Sequence, residues 1–119
     1  MRVLLADDEP EILELYLEML EGCGHEVTTA RDGREAFAEF ARGGHDVVVM
    51  DLHMPNMSGF DSIAEMQKQK PDVQVIMLTG YYPEEVVTQR VRDMGLNVVA
   101  TLRKPATITE LWNAIGRCK

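Results

Sequence analysis

VVVMDLHMPNMSGFD, residues 47–61, places a carboxylate directly at the end of an apolar strand. The four residues from Val47 to Met50 are all apolar, which is typical of a strand buried on both faces of a parallel sheet. Asp51 follows them without a polar neighbour before it. A buried carboxylate is costly unless a counter-charge, a hydrogen bond or a metal ion compensates it. A compensating group for Asp51 is therefore expected elsewhere in the chain.

Strand-like and helix-like patterns alternate along the whole sequence, with this stretch as the third strand. Nearly apolar strands, each followed by a helix, indicate one doubly wound α/β domain: a five-stranded parallel sheet with helices on both faces. No linker or repeat divides residues 1–119, so a single domain is expected. The strands are predicted at residues 2–6, 26–30, 46–50, 73–79 and 98–103, and the helices begin near Pro10, Asp32, Ser58, Pro83 and Thr107. Asp32 with Glu35, and Thr107 with Glu110, have the spacing of capping boxes.

The composition excludes several classes of protein. The formal net charge of −8 opposes binding to a nucleic-acid backbone, where basic residues displace counterions. The apolar runs are too short to span a membrane, and no secretory signal follows Met1. Cys23 and Cys118 are too few for a disulfide scaffold or a zinc site. We expect a cytoplasmic protein that contacts neither nucleic acid nor membrane directly.

Polar side chains follow four of the five predicted strands. Asp7 and Asp8 come after the first strand, Asp51 after the third, Thr79 after the fourth and Lys104 after the fifth. The carboxyl ends of parallel strands meet at one edge of the sheet, where ligands bind. Each residue alone has an ordinary explanation, such as a helix cap or a solvated lysine. Their convergence on one edge indicates a functional site.

The residue types in this set suit phosphoryl transfer. Clustered carboxylates repel one another unless a proton is retained or a cation binds. Oxygen ligands without histidine or cysteine side chains favour Mg²⁺ (or Mn²⁺). Lys104 would add a second positive charge, and Thr79 would donate a hydrogen bond to a phosphoryl oxygen. Asp51 is then the expected nucleophile, and the product is an aspartyl phosphate.

The ordered set of Asp7-Asp8, DLHMPNMSG around Asp51, Thr79-Gly80 and Lys104-Pro105 resembles the signature of response regulator receiver domains of two-component signalling. The resemblance covers essentially the whole chain and implies a flavodoxin-like (βα)5 fold. It implies that Asp51 accepts a phosphoryl group from a histidine kinase or a histidine phosphotransfer protein, in a Mg²⁺-dependent reaction. It also implies a signalling domain rather than an enzyme.

Further roles are implied by the same resemblance. Asp8 would bind Mg²⁺ directly, Asp7 mainly through water, and the backbone carbonyl of His53 would supply another ligand. The bond between Lys104 and Pro105 would be cis. Residues 83–117 would form the output surface, which contacts an output domain, a partner protein or a second copy of the chain.

Several positions depart from the usual pattern of the family. Thr101 occupies a switch position that usually holds an aromatic residue, and Ala106 follows Lys-Pro where an aromatic is also usual. Tyr81 or Tyr82 would either substitute for the switch aromatic or cover the edge of the site. The side chain of His53 would face either the phosphoryl group or solvent.

Three other functions share part of this pattern. A Mg²⁺-dependent phosphatase of the haloacid dehalogenase type would need a second acid two residues after Asp51, where this chain has His53, and usually a cap domain. A flavodoxin-like flavin-binding protein would have a phosphate-binding loop after the first strand, where this chain has Asp7-Asp8-Glu9. A receiver-like domain that is not phosphorylated would normally lack one of these residues.

Overall fold

A computed structural model describes residues 1–118 and contains one five-stranded sheet with five helices. Within these residues no helix is both long and apolar enough to cross a membrane. The strands are β1 (Arg2–Ala6), β2 (Glu26–Ala30), β3 (Val47–Asp51), β4 (Gln74–Thr79) and β5 (Ala100–Arg103). The helices are α1 (Pro10–Gly22), α2 (Gly33–Ala41), α3 (Gly59–Gln69), α4 (Glu84–Met94) and α5 (Ile108–Gly116).

The sheet has the order β2-β1-β3-β4-β5, and every neighbouring pair of strands is parallel. Helices α2, α3 and α4 pack on one face of the sheet, and α1 and α5 pack on the other. The strand order reverses between β1 and β3, so the carboxyl ends of these strands border the crevice where such folds bind ligands. The predicted doubly wound α/β fold is confirmed.

Strand β3 lies at the centre of the sheet and is buried along its whole length. Its side chains alternate between the two cores. Val48 and Met50 pack with α2, α3 and α4, whereas Val47 and Val49 pack with α1 and α5. None of these four residues has exposed surface. The tight packing of β3 fixes the position of Asp51, its last residue.

The observed strand boundaries differ slightly from the predicted ones. β3 begins at Val47 and includes Asp51, which is paired in register with Leu78 of β4. Asp46 lies before the strand, and its side chain accepts a hydrogen bond from the amide of Arg2 at 2.8 Å. β4 and β5 begin one and two residues later than predicted, at Gln74 and Ala100. Pairing with the neighbouring strand determines where each strand begins and ends. A run of apolar residues does not reveal this pairing.

One predicted capping box is complete and the other is half formed. At α5 the Thr107 hydroxyl accepts from the Glu110 amide, and the Glu110 carboxylate accepts from the Thr107 amide, both at 3.1 Å. At α2 the Asp32 carboxylate accepts from the Glu35 amide at 2.7 Å. Its second oxygen accepts from the Asn56 side chain at 2.9 Å, and no returning bond from Glu35 is found within residues 1–118.

Gly59 begins α3 where the helix passes directly over the end of β3. Its amide donates a hydrogen bond to the carbonyl of Leu52 at 3.0 Å. A Cβ atom at Gly59 would collide with the backbone oxygen of Asp51 and would lie 2.7 Å from the Cα of Leu52. The absence of a side chain at Gly59 therefore allows the third helix to approach the candidate nucleophile closely.

We expect the Gly59→Ala variant to lose about 1–3 kcal/mol of unfolding free energy, because the backbone around Asp51 must shift to make room. Urea unfolding followed by circular dichroism measures this loss. The matched control is Gly22→Ala at the end of α1, where an added Cβ meets no heavy atom of residues 1–118 within 4 Å beyond its chain neighbours and the backbone of its own helix. Equal stability of the Gly59→Ala variant and the wild type would show that this close approach is unimportant.

Candidate functional site

The carboxyl ends of β1, β3 and β5 bring charged side chains together at one edge of the sheet. The ammonium of Lys104 lies 3.0 Å from Oδ2 of Asp7 and 3.3 Å from Oδ2 of Asp51. It also lies 3.2 Å from Oε1 of Glu9. One cation thus contacts three carboxylates, and Lys104 supplies the counter-charge that buried Asp51 requires.

Asp7, Asp8 and Asp51 form a group that fits a hard divalent cation. One oxygen from each carboxylate lies within 4.8 Å of the others. Oδ2 of Asp7 is buried and accepts no hydrogen bond from any of residues 1–118; the Lys104 ammonium approaches it as an ion pair without hydrogen-bond geometry. Such an oxygen is costly to bury without a further positive partner. A donor set made only of oxygens suits Mg²⁺ or Mn²⁺.

The electrostatics of the group favour a lysine that stays charged and an aspartate that holds a proton easily. Burial, and then the negative charge of Asp7, raise the pKa of the Asp51 carboxyl to about 7. The charge of Lys104 and the hydrogen bond from the His53 amide, at 3.3 Å, act in the opposite direction on this pKa. A cation beside Asp51 would therefore help to keep this carboxyl ionised at neutral pH.

The pKa of Lys104 lies above its ordinary value. Burial by itself lowers this pKa, but the contact with Asp7 and the charges of Asp51 and Asp7 together outweigh burial. The Lys104 side chain is only 12% exposed, so water screens these contacts weakly. Lys104 therefore carries a positive charge into the site at any physiological pH.

Thr79 is buried at the end of β4, but its hydroxyl is turned toward the following loop. Its Oγ1 donates to the carbonyl of Tyr82 and accepts from the amide of Tyr82, both at 3.3 Å. Within residues 1–118 the hydroxyl makes no hydrogen bond to Asp51. The structure therefore places Thr79 at the predicted edge of the sheet without bringing its hydroxyl against the carboxylate. Residue types and spacing do not indicate this loop contact with Tyr82.

A cleft of about 390 Å³ opens above Asp51. His53 and Tyr81 form part of its wall, and their rings are stacked with centroids 4.1 Å apart and planes 6° apart. Tyr81 is 67% exposed, so it covers the edge of the site without entering the core. The lining residues are Asp8, Glu9, Asp51, His53, Gly80, Tyr81 and Lys104.

The loop after β5 is held by a hydrogen bond to helix α1. The Lys104–Pro105 peptide bond is cis. Ala106 is buried, and its amide donates a hydrogen bond to the hydroxyl of Tyr16 at 2.9 Å. Tyr16 is fully buried, and a buried tyrosine usually finds such a polar partner. Thr101 is exposed on β5 and lines a groove between β5 and α4.

Glu9 belongs to the site although sequence reasoning did not single it out. It lies directly after Asp7-Asp8 and pairs with Lys104, as described above. Its amide donates to Oδ1 of Asp7 at 2.9 Å, so the same turn also orients the buried aspartate. Its position in the sequence could have indicated this role, because Glu9 is the third acidic residue in the turn that follows β1.

Comparison with known proteins gives one consistent result. Residues 3–116 match the response regulator receiver domain family. The transcriptional regulatory protein TcrA of Mycobacterium tuberculosis is 34% identical over 111 residues, which are 93% of this chain and 43% of TcrA. The chain thus spans less than half of that relative.

Solved structures resemble the chain over nearly its whole length. The chemotaxis protein CheY4 of Vibrio cholerae is 31% identical with a TM-score of 0.89, covering 99% of this chain and 98% of that one. The response regulator TrrA of Thermotoga maritima, in complex with Mg²⁺ and BeF, is 33% identical with a TM-score of 0.85, covering 98% and 96%.

Proposed function

Because this chain belongs to the response regulator receiver domain family, we propose that Asp51 accepts a phosphoryl group from a histidine kinase or a histidine phosphotransfer protein. The family consists of signalling domains rather than classical enzymes. The observation that carries the proposal is the position of Asp51. It is buried beside Asp7, contacted by Lys104 and open to the cleft on one side. Phosphorylation there would switch an output surface.

The transfer is a direct displacement at phosphorus. A carboxylate oxygen of Asp51 forms a bond to phosphorus as the bond between phosphorus and the donor's imidazole nitrogen breaks, and the imidazole leaves with the electron pair. The ammonium of Lys104, already 3.3 Å from Asp51, offsets negative charge on the transferred group. The backbone amide of His53 donates to Asp51 and orients its carboxylate.

Asp7, Asp8 and Asp51, with the backbone carbonyl of His53, would hold Mg²⁺ (or Mn²⁺). When bound, the ion supplies positive charge that offsets the charge of the incoming phosphoryl group. The oxygen-only donor set and the buried Oδ2 of Asp7 support this assignment. The related TrrA has been solved with Mg²⁺ and BeF, which agrees with it.

The switch would begin at Thr79. Both hydrogen bonds of its hydroxyl to Tyr82 are long, at 3.3 Å, so exchanging them for a bond to a charged phosphoryl oxygen is favourable. Phosphorylation adds about −1.5 to −2 charges at this edge. The output surface would be residues 83–117. Since Thr101 stands at the usual aromatic position, movement of Thr79 would be transmitted through the backbone of the Tyr81-Tyr82 loop.

The test is mass spectrometry of the intact protein after incubation with acetyl phosphate and Mg²⁺. One added phosphoryl group is expected on the wild type. None is expected on the Asp51→Asn variant, or on the wild type in EDTA. No adduct on the wild type would end the proposal, and sustained hydrolysis of generic phosphate esters would identify a phosphatase instead.

We expect the His53→Ala variant to lose its phosphoryl group about 3- to 10-fold faster than the wild type, a barrier change of roughly 1 kcal/mol. The His53 ring stacks on Tyr81 along the wall of the cleft, and its removal would admit water to the aspartyl phosphate. The decay of the adduct after the donor is removed gives the rate. His25→Ala, at the opposite edge of the sheet, serves as the control. An unchanged decay rate in His53→Ala would refute a role for this side chain.

A further inference from the structure

The loop between β3 and α3 is tied at its tip to the start of α2. The side-chain amide of Asn56 donates a hydrogen bond to Oδ2 of Asp32 at 2.9 Å. Asp32 caps α2, and its Oδ1 accepts from the Glu35 amide at 2.7 Å. The Glu35 amide and then the Asn56 side chain hold the pKa of the Asp32 carboxyl below its ordinary value, so the contact is a charge-assisted hydrogen bond. We call this contact between Asp32 and Asn56 the clasp.

The backbone at Asn56 suits this contact. Its φ of 68° lies in the left-handed region, which asparagine adopts more readily than most residues other than glycine. The Met57 amide donates to the Pro55 carbonyl at 2.7 Å, so the chain turns tightly around Asn56. Pro55 and Asn56 are exposed, and within residues 1–118 the clasp is the one hydrogen bond that links residues 55–57 to another element. The position of this tip therefore depends on Asp32.

Gly33, the first residue of α2, allows the two segments to approach each other. A Cβ atom at Gly33 would collide with the backbone oxygen of Met57. The Gly33 carbonyl accepts a hydrogen bond from the Ser62 hydroxyl at 2.8 Å, and this bond is buried. The start of α2 thus contacts both the tip of the loop and the helix that follows it, which makes α2 a firm support for the clasp.

The same loop carries the backbone carbonyl that is proposed as a metal ligand. The amide of His53 donates to Oδ1 of Asp51 at 3.3 Å, while its carbonyl accepts no hydrogen bond within residues 1–118. This carbonyl belongs to the peptide unit between His53 and Met54, and the exposed tip begins at the next residue. Rotation of that peptide unit would change the direction of the carbonyl oxygen. The clasp limits such rotation because it fixes the tip.

We propose that the clasp prepares the loop for Mg²⁺, by holding the His53 carbonyl in a binding position before the ion arrives. The inference rests on the proposed function, and it adds Asn56 and Asp32 as positioning residues. Mg²⁺ requires nearly ideal octahedral geometry, so its affinity is sensitive to small displacements of a ligand. A loop that is already ordered also loses less conformational freedom when the ion binds. Opening the clasp should therefore weaken Mg²⁺ binding.

The test is NMR titration of the full chain with MgCl₂ at constant ionic strength, without a phosphoryl donor. Asn56→Gly removes the amide, while glycine still adopts the left-handed backbone of this position. Its dissociation constant for Mg²⁺ should rise about 3- to 10-fold, the size expected from one lost hydrogen bond. The control is Gln67→Ala, which breaks two hydrogen bonds between α3 and Asn97, at 2.8 and 3.2 Å. Asn97 precedes β5 and so lies at the opposite edge of the sheet, and Mg²⁺ affinity should stay within about twofold of the wild type.

A charge swap shows whether the contact itself is responsible. Asn56→Asp sets a second carboxylate against Asp32 and should open the clasp by repulsion. An added negative charge alone would attract the cation, so a dissociation constant about 3-fold higher or more in this variant identifies loss of the clasp. Combining it with Asp32→Asn restores one donor and one acceptor, keeps the net charge and still caps α2. The double variant should bind Mg²⁺ within about twofold of the wild type.

An unchanged dissociation constant in Asn56→Gly would overturn the proposal, as would equal weakening in Gln67→Ala or no recovery in the double variant. Absence of Mg²⁺ binding to the wild type would refute the metal site, and the role of the clasp with it. Normal binding that the variants leave unchanged would refute the clasp alone. The titration contains no phosphoryl donor, so a failure of the acetyl phosphate test would not alter these results.

Discussion

Replacing Asp51 with asparagine is expected to stabilise the metal-free protein by about 1–3 kcal/mol at pH 8. Asp51 is only 3% exposed and lies beside a second buried carboxylate, Asp7. Burial and this neighbouring charge raise its pKa to about 7, which means that the folded state disfavours the ionised form. Asparagine removes that charge while keeping the shape of the side chain. Urea unfolding in EDTA measures the difference.

The stabilisation depends on pH with a definite sign. The pKa of Asp51 is about 7 in the folded protein, against an ordinary value of 3.8. Above pH 7 the carboxyl is ionised in both the folded and the unfolded state, and the gain in unfolding free energy from Asp51→Asn is then largest. As the pH falls from about 7 toward 4, the folded wild type takes up the proton first and gains stability, so the advantage shrinks.

The control for this prediction is Asp72→Asn, which removes an exposed carboxylate from the loop before β4. Its effect on stability should stay within about 0.5 kcal/mol at all pH values, as for most surface substitutions. A wild type more stable than Asp51→Asn at pH 8 in EDTA would contradict the electrostatic description of the site. A gain that does not change between pH 8 and pH 4 would contradict it too.

Magnesium is expected to stabilise the wild type by about 2–3 kcal/mol at a concentration near 100 times its dissociation constant. The ion would bind the folded arrangement of Asp7, Asp8 and Asp51, which the unfolded chain does not possess. Asp8→Asn should lose most of this stabilisation while keeping the fold, because Asp8 is only half-buried and receives no hydrogen bond in the described part of the chain. Thermal unfolding with MgCl₂ and with NaCl of equal ionic strength measures the effect.

Asp61→Asn, which changes an exposed carboxylate on α3, should respond to magnesium as the wild type does. Bound magnesium should also reduce the stability advantage of Asp51→Asn over the wild type, because the ion compensates the charge that asparagine removes. Equal stabilisation of the wild type and Asp8→Asn by magnesium would show that the ion binds elsewhere.

The fold could be predicted almost completely from the sequence, because its elements follow a strong alternation of apolar strands and capped helices. The run from Val47 to Met50 is buried on both faces, as its composition indicates. The sequence pattern predicts the start of β5 two residues too early, because the apolar residues Val98 and Val99 continue the strand pattern before the pairing with β4 begins. Strand pairing depends on the neighbouring strand, which local sequence does not encode.

The site could be predicted only in part. Topology places Asp7, Asp51 and Lys104 at one edge, and the structure brings their charged atoms into contact. The orientation of the Thr79 hydroxyl and the stacking of Tyr81 depend on the path of the loop after β4 and on side-chain rotamers. These features are set by tertiary packing, so residue types and spacing do not specify them.

Reduction with borohydride locates the phosphoryl group at a single residue. The protein is incubated with acetyl phosphate and Mg²⁺, and the aspartyl phosphate is then reduced with borohydride, which converts the modified aspartate into homoserine. Peptide mass spectrometry identifies the converted position. Conversion of Asp51 alone, and only with a divalent cation present, is the predicted result. Conversion of Asp8 or another acidic residue, or equal conversion of Asp51 in EDTA, would contradict the assignment of Asp51 as the phosphoacceptor of a Mg²⁺-dependent reaction.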